Sequence, residues 1–313
     1  MDLCFIIKGV SFFVQTSIGI VSNWAILISY LNMVCHRYKL MPVDIVLSHL
    51  AFVNMMTLLT RGVPQTMTVF GMVHVLNDAG CKAVIYSYRI VRALSVSVTC
   101  LLSVLQAVTI KPTPGRSIAK IKDLKYLIMT LVVIWLINMA VCIAAPFFSA
   151  VPRIGKVPKF TLDLGFCHVY FPNQLGYIIN GFAVSARDFT FVGIMIFASG
   201  FIMQTLYRHR TQVQNLRLSN SRNGAAESKA AKNVLRLVLL YVIFFGVDNI
   251  IWIYMLTVSQ VPSIVSDMRV FFSSCYASLS PILIILSNKK IRSSMKCTLR
   301  QQITQVEIYV CHV

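Results

Sequence analysis

The sequence predicts an all-α protein, a seven-transmembrane-helix bundle followed by a short amphipathic helix, and three observations lead there. Hydrophobic residues make up 57% of the 313 and charged ones only 12%, against roughly 45–50% and 25% in soluble domains. The apolar residues fall into seven runs, each long enough to supply the roughly 20 residues that cross a bilayer. Lys and Arg, which give the chain a net charge of +19, gather in alternate connections between those runs, as they do in membrane proteins. In a soluble chain that charge would point to nucleic acid; here topology accounts for it, and no nucleic-acid partner is expected.

The spans are expected near 5–33, 43–70, 82–110, 124–148, 182–207, 233–258 and 264–287, with 288–313 as a tail and the whole chain, 1–313, one domain. The first run, Leu3 to Met33 with only Lys8 charged, exceeds the roughly 7–15 apolar residues of a signal peptide and reads as a membrane helix. Arg37 and Lys39 follow it. The second run ends before Gly71–Gly80, a connection with no Lys or Arg. The third and fifth runs hold several polar residues and depend on the charge pattern for support. That pattern is consistent: Lys111, Arg116, Lys120, Lys122 and Lys125 follow the third run, Arg208, Arg210, Arg217, Arg222, Lys229, Lys232 and Arg236 surround the fifth connection, and Lys289, Lys290, Arg292, Lys296 and Arg300 lie in the tail. The sixth connection has none, and only the fourth, with Arg153, Lys156 and Lys159, breaks the rule. The bias puts the N-terminus outside and the tail in the cytoplasm, which requires an odd number of spans. Pro64, Pro146 and Pro281 are expected to kink their helices. In the tail, Ile291, Met295 and Leu299 recur among basic residues, the pattern of a helix lying on a membrane surface. Cys297 in that helix is a candidate for palmitoylation.

Three segments carry a resemblance that extends over nearly the whole chain. Pro42 to Asn54 (PVDIVLSHLAFVN), Thr99 to Pro112 (TCLLSVLQAVTIKP) and Ser280 to Ile284 (SPILI) resemble the second helix, the inner end of the third and the end of the seventh in vomeronasal type-1 receptors. The close relatives of that family are the fish olfactory receptors related to class A, and a fish-type member is the expectation within the group. The resemblance implies a rhodopsin-like G-protein-coupled receptor at the plasma membrane, taking an odorant or pheromone and activating a heterotrimeric G protein of the Gi/Go class. Leu105-Gln106-Ala107 stands where generic rhodopsin-like receptors have Asp-Arg-Tyr, and Phe245-Gly246-Val247-Asp248 replaces their Cys-Trp-x-Pro. The family shares these losses. Many members carry a glycosylation sequon in the second outer loop; this chain has no Asn-x-Ser/Thr anywhere.

Cys81 and Cys167 both fall on the outer side of the expected topology, an oxidising compartment where a disulfide is stable. Two free thiols are the alternative, and the resemblance favours the bridge. The most informative residues are ionisable groups inside the spans: Arg61, Arg89, Arg92, Arg187, Asp188, Asp248 and Arg269. A charge in mid-bilayer costs about 2.5–3.5 kcal/mol on insertion scales, so each is expected to face the bundle or water. Arg89 and Arg92 share a helix face with Tyr88 and Ser95. Counting about 1.5 Å per residue, they lie roughly 12–16 Å below Cys81. Five arginines against two carboxylates leave surplus positive charge around one cavity, and guanidinium forks bind carboxylates in pairs of hydrogen bonds. The expected ligand is a small anion, a carboxylic acid whose apolar body meets Tyr88, Phe182, Trp252 and Tyr254. The competing possibility is that these charges only pair among themselves, Asp248 with Arg89 or Arg92 and Asp188 with Arg187, while Arg61 and Arg269 turn to the rim.

Asn23, Asn54, Ser280 and Pro281 mark polar positions deep in the first, second and seventh spans. With Gln106 they are expected to form an activation switch or to tie helices together by hydrogen bonds. The basic inner loops are expected to meet the G protein and anionic membrane lipids. No His, Cys, Asp and Glu stand at metal-binding spacing, no phosphate-binding loop occurs, and neither an enzyme nor a cofactor is expected. Two alternatives accompany the receptor reading. One is a bitter taste receptor, the other an anion transporter, which the lack of internal repeats disfavours.

Overall fold

The computed structural model describes residues 3–72, 76–110, 123–151, 161–164, 166–171, 173–215, 222–257 and 263–296. Seven helices are long and apolar enough to cross a membrane: α1 (Leu3–Cys35), α2 (Pro42–Val69), α3 (Asp78–Ile110), α4 (Leu124–Phe148), α5 (Gln174–Asn215), α6 (Arg222–Thr257) and α7 (Ser263–Ser287). An eighth, α8 (289–296), follows at once. The C-terminal end of α5, through Arg208 and Arg210 to Asn215, and the start of α6 at Arg222 reach into polar sequence, because helix propensity, unlike bilayer solubility, continues there. α3 is the central helix: 72% of its apolar window is buried, against 22% for α4 and for α5. The leucines, isoleucines and phenylalanines left exposed on α1, α4 and α5 therefore form the lipid-facing surface of the bundle.

The three prolines expected to kink their helices act in three ways. Around Pro64, α2 widens into a π turn at Leu58–Gly62 before resuming at Val63. Pro146 falls where α4 breaks: the helix ends at Val141, turns through 142–144 and adds one last turn at Ala145–Phe148. Pro281 lies inside a continuous α7, where Asn23 of α1 donates its Nδ2 to the Ala277 carbonyl at 3.0 Å. That carbonyl is the one Pro281 leaves without a helical partner. Asn23 also donates to Gly19 O at 2.8 Å. At Gly19 itself a Cβ would stand 2.5 Å from Leu58 Cδ1 and 2.9 Å from Ser278 Oγ, so glycine permits α1, α2 and α7 to meet there.

α8 has the amphipathic form expected of it. Ile291 is fully buried and Met295 packs on the main core cluster, while Lys289, Lys290, Arg292 and Lys296 are exposed. Lys290 Nζ reaches Asp44 Oδ2 at the start of α2, 3.2 Å away. Cys297 lies outside the described residues.

One feature departs from an all-helical reading. Between α4 and α5 a small antiparallel sheet forms, with β1 (Ser149–Ala150) and β2 (Thr161–Asp163) on either side of β3 (His168–Tyr170). Cys167, immediately before β3, is bonded to Cys81 in the first turn of α3, with a Cα–Cα distance of 5.8 Å. The fully buried Cys81, Cys167 and Val169 pack with Ile85 and Phe171 into a second apolar cluster. The sheet is thereby pinned to the end of the bundle that holds the N-terminus.

Candidate ligand cavity

Beneath that sheet lies a cavity of about 160 Å³ lined by α2, α3, α5, α6 and α7. Its walls follow from helix periodicity. On α3, Ile85, Tyr88, Arg89 and Arg92 project from one face; on α5, Asn180, Val184, Arg187 and Asp188 do the same; on α6, Phe245, Asp248 and Trp252 complete the ring. Arg269 and Ser273, one turn apart, close it from α7. Arg61 enters from the π turn of α2. Such a turn holds one extra residue, which rotates the remainder of the helix by about 100° and re-aims side chains toward an interior site. All five arginines and both aspartates named from the sequence line this one space.

The two carboxylates are already engaged. Asp248, with only 5% of its side chain exposed, forms an ion pair with Arg92 Nη2 and faces Arg269 Nε at 3.3 Å. Arg269 also lies over the Trp252 ring, 4.3 Å from its centre. Asp188 Oδ1 accepts from Arg187 Nε at 3.0 Å and stands 2.8 Å from Nη2 of the same guanidinium. Arg187 Nη1 is 3.5 Å from Cys142 Sγ. Arg61, which is buried, sits 5.5 Å from the Tyr88 ring centre and 5.3 Å from that of Phe166, within cation–π range. Arg89 differs from Arg92, Arg187 and Arg269. Its Nη1 donates to Asn180 Oδ1 at 2.9 Å, and no carboxylate pairs with it among the described residues.

The residues expected at the site divide accordingly. Of the alternative pairings, Asp248 takes Arg92 rather than Arg89, and Asp188 takes Arg187. Arg61 and Arg269 do not turn to the rim. Tyr88 and Trp252 line the cavity as expected, but Phe182 and Tyr254 are 74% and 47% exposed and stand outside its lining. Each is displaced round its helix from the inward stripe, and Phe171 and Phe245 supply the aromatic walls in their place. Asn180 and Asn249 were not foreseen. Asn180 is detectable by arithmetic, since it lies seven and eight residues before Arg187 and Asp188 and so shares their face.

Deeper in the bundle, Asn54 sits between two helices. It donates Nδ2 to Ser280 Oγ and accepts from Ser95 Oγ, both at 2.9 Å. Ser95 lies one turn below Arg92, so a polar path runs from the cavity into the core. Thr99 and Tyr276 extend it with a bond of 2.7 Å. Gln106 is buried near the other end of α3 and shares no hydrogen bond with this group among the described residues.

Comparison with known proteins identifies the family. The model of the vomeronasal organ pheromone receptor family matches residues 6–297. The chain is similar to Olfactory receptor class A-like protein 1 of Danio rerio, with 57% identity over 309 residues that cover 98% of this chain and 97% of that protein. It is also similar to Vomeronasal type-1 receptor 4 of Homo sapiens, 30% identical over 276 residues, 87% of this chain and 91% of the relative. Vomeronasal type-1 receptor 1 of Gorilla gorilla gorilla is 30% identical over 286 residues, 91% of this chain and 81% of that protein.

Proposed function

The chain belongs to the vomeronasal type-1 receptor family, and from that premise we propose that this chemosensory G-protein-coupled receptor takes a small anionic ligand, a carboxylic acid, in the arginine-lined cavity. Membership in the family sets aside the bitter-taste and anion-transporter alternatives. The observation that carries the proposal is the state of Arg89. Arg92, Arg187 and Arg269 each face an aspartate, whereas the partner of Arg89 is a neutral amide. A guanidinium has five N–H donors, and Arg89, half-buried in the cavity wall, has no carboxylate among the described residues to offset the hydration it has lost. An incoming carboxylate would supply that counter-ion and accept two hydrogen bonds at once. Tyr88, Trp252, Phe171 and Phe245 would enclose its apolar part. Arg61, Arg187 and Arg269 would add positive potential around it.

The pairing of Arg92 with Asp248 supports a framework role for these two, with the direct ligand contact at Arg89. In cells that report receptor activation, Arg89→Ala is expected to raise the half-maximal concentration of an acidic agonist by about 30-fold or more, the effect of removing one side of a buried charge contact, with surface expression retained. Agonists that are neutral or amine in character, with acids inactive, would refute the ligand class.

The charge pattern supports an N-terminus outside the cell and a tail in the cytoplasm. The receptor would then open its cavity to the exterior and present α8 and the basic inner loops to anionic lipids and a G protein of the Gi/Go class. Epitope tags test the orientation directly. An N-terminal tag is expected to be stained on intact cells and a C-terminal tag only after permeabilisation; both on one side would refute it. Asn54, Ser95 and Ser280, with Asn23 and Pro281, stand between the cavity and the inner half and are the residues through which rearrangement would pass, while Gln106 lies toward the G-protein end.

A further inference from the structure

We propose that Asn180 is the specificity-determining residue of the cavity: it orients the Arg89 guanidinium without neutralising it, so that only an anion completes the site. The inference rests on the anionic-ligand reading above and goes beyond it by naming what makes the cavity select charge. Four facts carry it. Asn180 Oδ1 accepts from Arg89 Nη1 at 2.9 Å, joining α5 to α3 across the cavity. Both residues line it. The other two carboxamide-sized acceptors that meet arginines in this space, Asp188 and Asp248, are carboxylates, and each forms an ion pair. At position 180 the equivalent acceptor is uncharged.

The chemistry turns on a single atom. Asparagine and aspartate have nearly the same shape, so Asp at 180 would sit in the same place and turn a bond that is charged on the donor side alone into an ion pair. The cavity would then hold its own counter-ion for Arg89, and a ligand carboxylate would meet repulsion from a fixed carboxylate as well as a quenched cation. Asn180 avoids both while still using one of the five donors to fix the plane of the guanidinium. The remaining donors are left for the ligand. Selectivity against neutral isosteres follows, because a neutral ligand leaves Arg89 desolvated without compensation.

The experiment uses the full-length receptor in cells with a cAMP or calcium readout, and the same receptor purified in detergent. The probes are butanoate and benzoate, each beside its methyl ester. The wild type is expected to answer acids and ignore esters. Asn180→Asp is expected to raise the half-maximal concentration for the acids by about 30-fold or more at equal surface level, and Asn180→Ser, which keeps the position uncharged, to stay within about tenfold of wild type. In the purified, ligand-free receptor, Asn180→Asp is expected to unfold at a higher temperature than wild type and Asn180→Ser is not, because only the first supplies Arg89 with a counter-ion. Unchanged acid potency in Asn180→Asp overturns this inference and leaves the anionic-ligand reading standing. A wild type that answers esters and not acids removes both. If no probe activates the wild type, thermal unfolding decides: Asn180→Asp at or below the wild-type temperature overturns the inference.

Discussion

Asp248→Ala is expected to remove most of the receptor from the cell surface, the largest effect of any single substitution in the cavity. Asp248 serves two arginines, Arg92 through an ion pair and Arg269 at 3.3 Å, and its own side chain is 5% exposed. Removing one partner of a buried pair costs about 3–5 kcal/mol, because the charge left behind keeps its desolvation penalty and loses its compensation. Here two guanidinium groups lose the same partner, and membrane insertion adds its own penalty for unpaired charge. Since total folding stability is commonly about 5–15 kcal/mol, such a loss is enough to divert much of the protein to degradation. The same reasoning predicts partial rescue. Asp248→Ala combined with Arg92→Leu is expected to recover part of the surface signal, because one of the two orphaned cations is then gone. Flow cytometry on an N-terminal tag measures both. Surface levels of Asp248→Ala equal to wild type, or a double variant lower than the single one, would sink the assignment of Asp248 as the framework counter-ion.

Loss of the Cys81–Cys167 bond is expected to abolish the response. The bond closes a loop between residues 86 apart in sequence and holds β3 against α3. Removing a native disulfide typically costs about 2–5 kcal/mol, and long loops lie toward the upper end. The consequence at the site is more specific than general instability. Phe166 flanks Cys167 and packs against Arg61, and Leu164 and Phe171, which precede and follow β3 in the chain, line the cavity. With the bond gone, the sheet is free to lift and these walls leave together. Cys81→Ser, Cys167→Ser and the double variant are expected to behave alike, each giving at most a few per cent of the wild-type response. A double variant that signals normally at normal surface level would refute the tether.

The bundle was legible in the sequence to an extent that the cavity was not, and particular residues show where the difference lies. Seven apolar runs and alternating basic connections were sufficient to place seven spans, and α8 followed from the spacing of Ile291 and Met295. The cluster of arginines and aspartates was also foreseeable, since charges in apolar runs must turn inward. Their partners were not. Asp248 had two candidate arginines on α3, three residues apart, and the choice of Arg92 over Arg89 depends on how far α6 is rotated and shifted against α3. Arg61 reached the cavity through a π turn that no periodicity announces. Phe182 and Tyr254 failed as cavity residues for the same reason in reverse: a rotation of one residue's width turns an inward ring toward lipid.

Whether a segment enters the membrane is a transfer free energy summed over its own residues, so composition and charge determined the number of spans and the residues that had to face inward. Which guanidinium meets which carboxylate depends on distances of a few ångströms between different helices. Those distances come from packing across the whole bundle: the close approach at Gly19, the widened turn before Pro64 and the disulfide at Cys81. Only the assembled structure could leave Arg89 with an amide where Arg92, Arg187 and Arg269 have acids.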